Sequence, residues 1–221
     1  MRLVRMMFVL LIACVTFVSA APQTPAPSGA AAGQRGAQPP VAPGGQRGGR
    51  GGRGRGAVQV MTLASPAWPD GAEIPAKYTQ AGPEVSPPLT WSHVPEGVAS
   101  FALVAHDVDT AIGNGTDDLL QWMLWNIPAA ATSLPEHVAG IAQLSDGTRQ
   151  ISATGPYYRG PGALADGPAH HYVFELFALD EMVDVPAVGA SPPQTRAAVV
   201  AAMAGHIRGK AVYTGLFKFR P

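Results

Sequence analysis

Short apolar runs separated by proline and glycine make up most of the chain after about residue 57. Five runs have strand length and are rich in aromatic and branched side chains: residues 58–63, 100–105, 121–127, 171–179 and 210–219. One helical pattern covers residues 195–204, with Thr195 as its predicted cap and Gly205 at its end. Separated strands with one late helix, and no alternation of the two, predict a mainly β, antiparallel architecture.

The first 20 residues predict export. Arg2 and Arg5 precede an apolar stretch over residues 6–18 and small residues at 19–21, a pattern typical of a secretory signal peptide (1–20) cleaved after Ala20. In an alternative interpretation, residues 11–14 resemble a bacterial lipobox and Cys14 would carry a lipid. The apolar run continues past Cys14 to a small-residue site, which favours ordinary cleavage. Either way the predicted location is exported, periplasmic or secreted.

Residues 58–221 are predicted to form one domain that is stable without disulfides. Cys14 is the only cysteine of the chain, so the mature domain has none to pair. A domain of this length buries about 70% of the surface that its unfolded chain exposes. A hydrophobic core therefore suffices to stabilise it.

Residues 21–57 are almost entirely Gly, Pro, Ala, Gln and Arg, which predicts a disordered tether. Seven of the 15 basic residues precede residue 58, so the domain keeps eight against all 15 acids and is negative, whereas the tether is positive. Arg-Gly tracts also occur in RNA-binding proteins. This tract has no interleaved aromatics and the chain is predicted to be exported, so no nucleic-acid partner is expected. Weak attraction to an anionic membrane or cell-wall polymer is the expected use.

Two pairs of polar residues carry the candidate chemistry. Asp107 and Asp109 follow the apolar run 100–105, and His170 and Tyr172 open a later strand. Residues two apart in a strand share a face and lie about 6.6 Å apart, so each pair can converge on one small ligand. By the same alternation His106 and His171 should point to the other face. A solvated turn is the alternative for the acids, because residues 110–116 resemble a loop.

Five ordered blocks of the sequence resemble the phosphatidylethanolamine-binding protein family, whose bacterial branch is called Raf-kinase-inhibitor-like. The blocks are residues 86–91 (Ser-Pro-Pro-Leu-Thr-Trp), Asp107-Val108-Asp109, Gln121-Trp122 with Asn126-Ile127-Pro128, Gly160-Pro161, and His170-His171-Tyr172 through Asp180. The resemblance covers residues 58–219. It implies an antiparallel β-sandwich with Greek-key connections and a few peripheral helices.

The resemblance also implies a pocket for a small anionic or phosphorylated ligand or a phospholipid head group. Binding without turnover is expected, with no cofactor and no metal. The ligand-binding residues that it implies are Asp107, Asp109, Gln121, Gly160, Pro161, His170 and Tyr172. Imidazole, phenol and a backbone N–H beside glycine would donate to anion oxygens, and the carboxylates would orient these donors or receive an ammonium group.

The chain departs from the family pattern at two points. Gln121 occupies a position that is usually His; its amide can donate but cannot carry charge, so weaker and less pH-dependent anion binding is expected. Val108 and Thr110 occupy positions that are more often Pro, which makes this loop less rigid.

Three alternatives to a simple binding protein follow from the same residues. The chain could inhibit an extracytoplasmic enzyme through a protein interface. Asp107, Asp109 and His170 could hydrolyse a substrate by acid-base catalysis, or hold a metal, although no His-x-x-x-His or cysteine pair anchors such a site. The chain also has no dinucleotide-binding or phosphate-binding glycine motif and no Gly-x-Ser-x-Gly elbow. An exported binding protein is the favoured prediction.

Overall fold

Nine strands and one α-helix form the regular structure of residues 57–220, the part of the chain that the computed structural model describes. The strands are β1 Gln59–Val60, β2 Thr62–Ala64, β3 Leu89–Ser92, β4 Ser100–Ile112, β5 Asp117–Pro128, β6 Ser133–Leu134, β7 Arg149–Ile151, β8 His170–Leu179 and β9 Ile207–Phe217. The helix α1 is Pro192–Met203, and a single 3-10 turn spans Ala76–Tyr78. The predicted signal peptide, the lipobox cysteine and the tether up to residue 56 lie outside the described residues.

The strands form two sheets. The larger has the order β1-β9-β8-β4-β5-β7, and the smaller has the order β2-β3-β6. All pairings are antiparallel except that of β1 with β9. The predicted mainly β, antiparallel fold is therefore confirmed.

The first predicted strand, residues 58–63, is in fact two strands in different sheets. Residues 59–60 pair with β9 in the larger sheet, whereas residues 62–64 pair with β3 in the smaller one. Between them the buried Met61 donates its N–H to the carbonyl of Lys210 at 2.8 Å. The segment thus crosses from one sheet to the other within three residues, a change of partner that an apolar run does not reveal.

Buried side chains of both sheets share one core. Leu63 and Trp91 from the smaller sheet belong to the same cluster as Leu103, Trp122 and Leu176 from the larger one. Burial of aromatic and branched side chains between the sheets is the main stabilising contribution.

The outer face of the larger sheet packs on α1 through a second cluster, which includes Trp125 of β5 with Val199 and Met203 of the helix. Trp122 and Trp125 therefore contribute to different clusters, as strand alternation predicts. The helix begins at Pro192, earlier than the predicted start near Thr195. Proline suits the first helical turn because its missing N–H would have no intrahelical acceptor there, and the side chain of Gln194 accepts the N–H of Ser191 at 3.1 Å.

Within residues 57–220 no helix has the length and apolar character that crossing a membrane requires.

Candidate functional site

Antiparallel pairing brings the polar residues of three strands to one end of the larger sheet. The later part of β4 lies beside the early parts of β5 and β8, so Asp107 is opposite Leu119 on one side and Tyr172 on the other. His170 and Gln121, which are distant in sequence, therefore come close to Asp107.

Asp107 is a buried carboxylate with several hydrogen-bond donors. Nδ1 of His170 lies 2.9 Å from Oδ2 and 3.1 Å from Oδ1. The backbone N–H groups of Asp109 and Thr110 both donate to Oδ1 at 3.1 Å. These donors compensate for the loss of water around a carboxylate that is only 3% exposed.

The predicted convergence of Asp107 and Asp109 on one face is wrong, because each carboxylate has a different histidine partner. The carboxylate of Asp109 is 40% exposed and accepts the backbone N–H of His171 at 2.6 Å and its imidazole Nδ1 at 2.7 Å. These two bonds, led by the backbone one, lower the pKa of Asp109. The regular register of β4 with β5 is lost between Asp107 and Ile112, so the two-residue alternation does not continue past Asp107.

Tyr172 supports a loop next to the site. Its hydroxyl oxygen accepts the backbone N–H of Gly162 at 3.2 Å and of Ala163 at 3.1 Å, and the side chain is fully buried. Burial and the negative charge of Asp107 both raise the pKa of Tyr172, so the phenol remains neutral. Tyr172 therefore fixes the loop over residues 158–163.

Gly160 and Pro161 hold the same loop against the segment before β3. The N–H of Gly160 donates to the Glu84 carboxylate at 3.0 Å, and the carbonyl of Pro161 accepts the N–H of Gln80 at 2.9 Å. A Cβ at Gly160 would lie 2.8 Å from Cα of Thr79, so only glycine fits. The N–H that the resemblance assigned to a ligand is thus already used by Glu84.

Gln121 is buried and anchors the loop from the other side. In the amide orientation that satisfies its surroundings, its nitrogen donates to the carbonyl groups of Arg159 at 2.9 Å and of Gly160 at 3.2 Å. Both N–H groups of the amide are therefore used, and the oxygen is the atom left for other partners. The expected donor role of Gln121 toward a ligand does not agree with this arrangement.

A cavity of about 230 Å³ lies among these residues, and we call it the His170 cavity. Its lining residues are Gln80, Asp107, Thr110, Leu119, Gln121, Arg159, Gly162, Ala163, Leu164 and His170. Three of the predicted site residues, Asp107, Gln121 and His170, line it. Gly160, Pro161 and Tyr172 hold its wall in place, and Asp109 lines a separate depression at the β4–β5 hairpin.

Sequence reasoning missed Arg159, whose only signal was its position before the Gly160-Pro161 block. No group of three or more His, Cys, Asp or Glu side chains between residues 57 and 220 is arranged to hold a metal ion.

A mainly β fold with a polar cavity at one end of its central strands is the class of structure that this chain adopts. Residues 64–218 match the family model described as phosphatidylethanolamine-binding protein, and the chain belongs to that family. This result confirms the family that the sequence blocks indicated.

Relatives and solved structures agree with this assignment. The UPF0098 protein of Methanothermobacter thermautotrophicus is 36% identical over 160 residues, which cover 72% of this chain and 99% of that protein. A candidate lipoprotein of Mycobacterium tuberculosis, LppC, is 32% identical over 161 residues, 72% of this chain and 75% of that protein. The crystal structure of E. coli YbcL, described as a new member of the mammalian PEBP family, has a TM-score of 0.60 and 26% identity and covers 72% of this chain and 99% of its own.

Proposed function

We propose that this protein is an exported binding protein whose His170 cavity takes a small anionic or phosphorylated ligand, such as a free phosphate monoester or a phospholipid head group, without turnover. The observation that carries the proposal is the pairing of His170 with the buried carboxylate of Asp107 in the cavity wall.

This pairing fixes the direction of the imidazole. With Nδ1 bonded to Asp107, Nε2 is the nitrogen that is left for a ligand. In the imidazolium form Nε2 carries an N–H that donates to an anion oxygen, and Asp107 balances the positive charge. The family description names a phospholipid whose head group contains a phosphate, which agrees with an anion at this position.

Binding without turnover is the favoured form of the proposal because the two carboxylates do not act at one place. General acid-base hydrolysis by a carboxylate pair needs both groups at the same ligand. Asp109 is bonded to His171 outside the cavity, and Asp107 is bonded to His170 and two backbone N–H groups.

Export rests on the N-terminal sequence and on one relative. The signal-like residues 1–20 predict secretion, and the candidate lipoprotein LppC is similar over 72% of this chain. The Arg-Gly tether would then hold the domain near an anionic surface.

The experiment compares His170→Asn with His171→Asn by isothermal titration calorimetry with inorganic phosphate and O-phosphoethanolamine at pH 6. The amide of asparagine lies near the Nδ1 position and can keep the hydrogen bond to Asp107, but asparagine has no atom at the Nε2 position, so we expect His170→Asn to weaken binding at least tenfold. His171 is a matched control because it is the next residue of the same strand, is exposed and contacts Asp109 instead. Equal affinities of the two variants and the wild type would contradict the proposal.

A further inference from the structure

Arg159 is held beside the His170 cavity by its own peptide groups. Its N–H donates to the carbonyl of Gln121 at 3.0 Å, and its carbonyl accepts the Gln121 amide at 2.9 Å. The preceding residue is also fixed, because the buried hydroxyl of Tyr158 donates to the carbonyl of Tyr78 at 2.8 Å. The backbone of Arg159 is thus clamped, and the residue forms part of the cavity wall.

The side chain of Arg159 has no partner among residues 57–220. Its Nε is buried and makes no hydrogen bond to any described residue. The other four arginines in this part of the chain are all bonded: Arg149 to the carbonyl of Val185, Arg196 to Asp118, Arg208 to Asp180 and Arg220 to Glu73. Arg159 alone of the five described arginines makes neither a carboxylate pair nor a side-chain hydrogen bond.

A buried donor without a partner is costly in free energy, so such a group points to a missing acceptor. Because guanidinium is charged at every physiological pH and presents a fork of N–H groups, its preferred partner is an anion with two adjacent oxygens. Gln121 provides no charge, and both of its N–H groups are used by backbone carbonyls. Arg159 is therefore the permanent cation of the cavity wall.

We propose, building on the binding function above, that Arg159 is the residue that binds the anionic group of the ligand and sets its specificity for oxyanions with at least two terminal oxygens. A phosphate monoester and a carboxylate share this chemistry. Since the guanidinium charge does not titrate, anion binding persists at a pH at which an imidazole is neutral. The other ionisable groups of the cavity and its loop are Asp107 from β4, His170 and Tyr172 from β8, Tyr158 from the loop itself, and Glu84 from the segment before β3.

The test is calorimetric titration of the full chain with inorganic phosphate, O-phosphoethanolamine and acetate at pH 5.5 and pH 8.5. We expect Arg159→Gln to weaken binding at least tenfold at both pH values, and Arg159→Lys to keep part of the affinity as a point charge. His170→Asn, which has no atom at the Nε2 position, should also weaken binding. Arg220→Gln is the matched control, because it removes an exposed guanidinium that pairs with Glu73. The relative affinities for phosphate, O-phosphoethanolamine and acetate then identify which oxyanion the cavity prefers.

Circular dichroism and urea unfolding show whether each variant is folded. Arg159→Gln should be at least as stable as the wild type, because it removes a buried donor that has no described partner. Wild-type affinity in Arg159→Gln at pH 8.5 would overturn the role of Arg159 and leave the binding function intact. A wild-type chain that binds none of the three anions would overturn both.

Discussion

The backbone of Gly160 lies so close to the segment before β3 that a side chain has no room. A Cβ at this position would be 2.8 Å from Cα of Thr79 and 2.9 Å from the carbonyl oxygen of Tyr78, both of which are backbone atoms that cannot rotate away. We therefore expect Gly160→Ala to lower the free energy of unfolding by about 1–3 kcal/mol, as measured by urea denaturation.

Gly167→Ala is the control for this prediction. No atom lies within 4 Å of a Cβ built at Gly167, which belongs to the same connection between β7 and β8. Its free energy of unfolding should change by no more than about 0.5 kcal/mol. Equal stabilities of the two variants would show that the loop adjusts freely.

The acids and their neighbours show how much of the site follows from residue order. Strand periodicity correctly indicated that His106 and His171 point away from Asp107. The family resemblance assigned Asp107 and His170 to one site, and their side chains are hydrogen-bonded. Strand periodicity failed at Asp109, because the Asp107 carboxylate accepts two backbone N–H groups just after it and the regular register ends there. Such a local bond between side chain and backbone competes with strand geometry, and a pattern of residue types does not record it.

On the opposite face of the sheet, His106 links four elements through charged groups. Its Nδ1 lies 2.5 Å from Asp118 of β5, and its Nε2 lies 3.4 Å from Glu175 of β8, a distance at which attraction is mainly electrostatic. Arg196 of α1 pairs with Asp118, and Lys210 of β9 pairs with Glu175. The helix is thus connected to the central strands by ion pairs as well as by its apolar cluster.

These charges shift the pKa values in opposite directions. Burial alone would lower the pKa of His106, but Glu175 and Asp118 outweigh it and raise the pKa above 6.5. His106 is the largest cause that lowers the pKa of Glu175 to about 2; burial acts against it, and Lys210 adds to the lowering. These interactions therefore favour the protonated imidazole and the ionised carboxylate in the folded state.

The sign of the resulting pH dependence follows from linkage. A histidine with a raised pKa stabilises the fold fully below its unfolded value of about 6.5, and this contribution is lost as pH rises through the folded pKa. We expect the loss of stability caused by His106→Gln to be larger at pH 6 than at pH 9, as measured by urea unfolding at both pH values.

Val212→Ala on the exposed side of β9 serves as the comparison, because it changes no ionisable group. Its effect on stability should be the same at pH 6 and pH 9. A deficit of His106→Gln that does not change with pH, or that grows toward pH 9, would show that His106 is neutral in the folded protein.

The boundaries of elements were less predictable than their type. The apolar run 100–105 indicated β4 but ended at the first polar residue, whereas the strand continues to Ile112. It continues because His106 and Asp107 are both largely buried and have polar side-chain partners on opposite faces. A hydrophobicity pattern treats such residues as exposed and therefore ends the strand early.

At the scale of the whole molecule, an acidic domain contains a cavity whose wall includes Arg159, a cation without a side-chain partner among residues 57–220. The part of the chain from residue 58 onward has eight basic and 15 acidic residues, yet Arg159 and His170 line one cavity at the end of the central strands. Affinity for an anion must then come from groups in the cavity, because the overall field of the domain repels anions. The fold was predictable from ordered sequence blocks, but Arg159 was not, because an isolated arginine carries no pattern.

A crystal structure of the protein soaked in O-phosphoethanolamine tests the central claim most directly. The account predicts a phosphate group in the His170 cavity, with oxygens about 2.7–3.1 Å from Nε2 of His170 and from the guanidinium of Arg159. Leu164 lines the cavity and is 74% exposed, so the cavity reaches the surface there and a soaked ligand has a path into it. A phosphate bound elsewhere on the domain, with the His170 cavity unoccupied and accessible in the same crystal, would contradict the account.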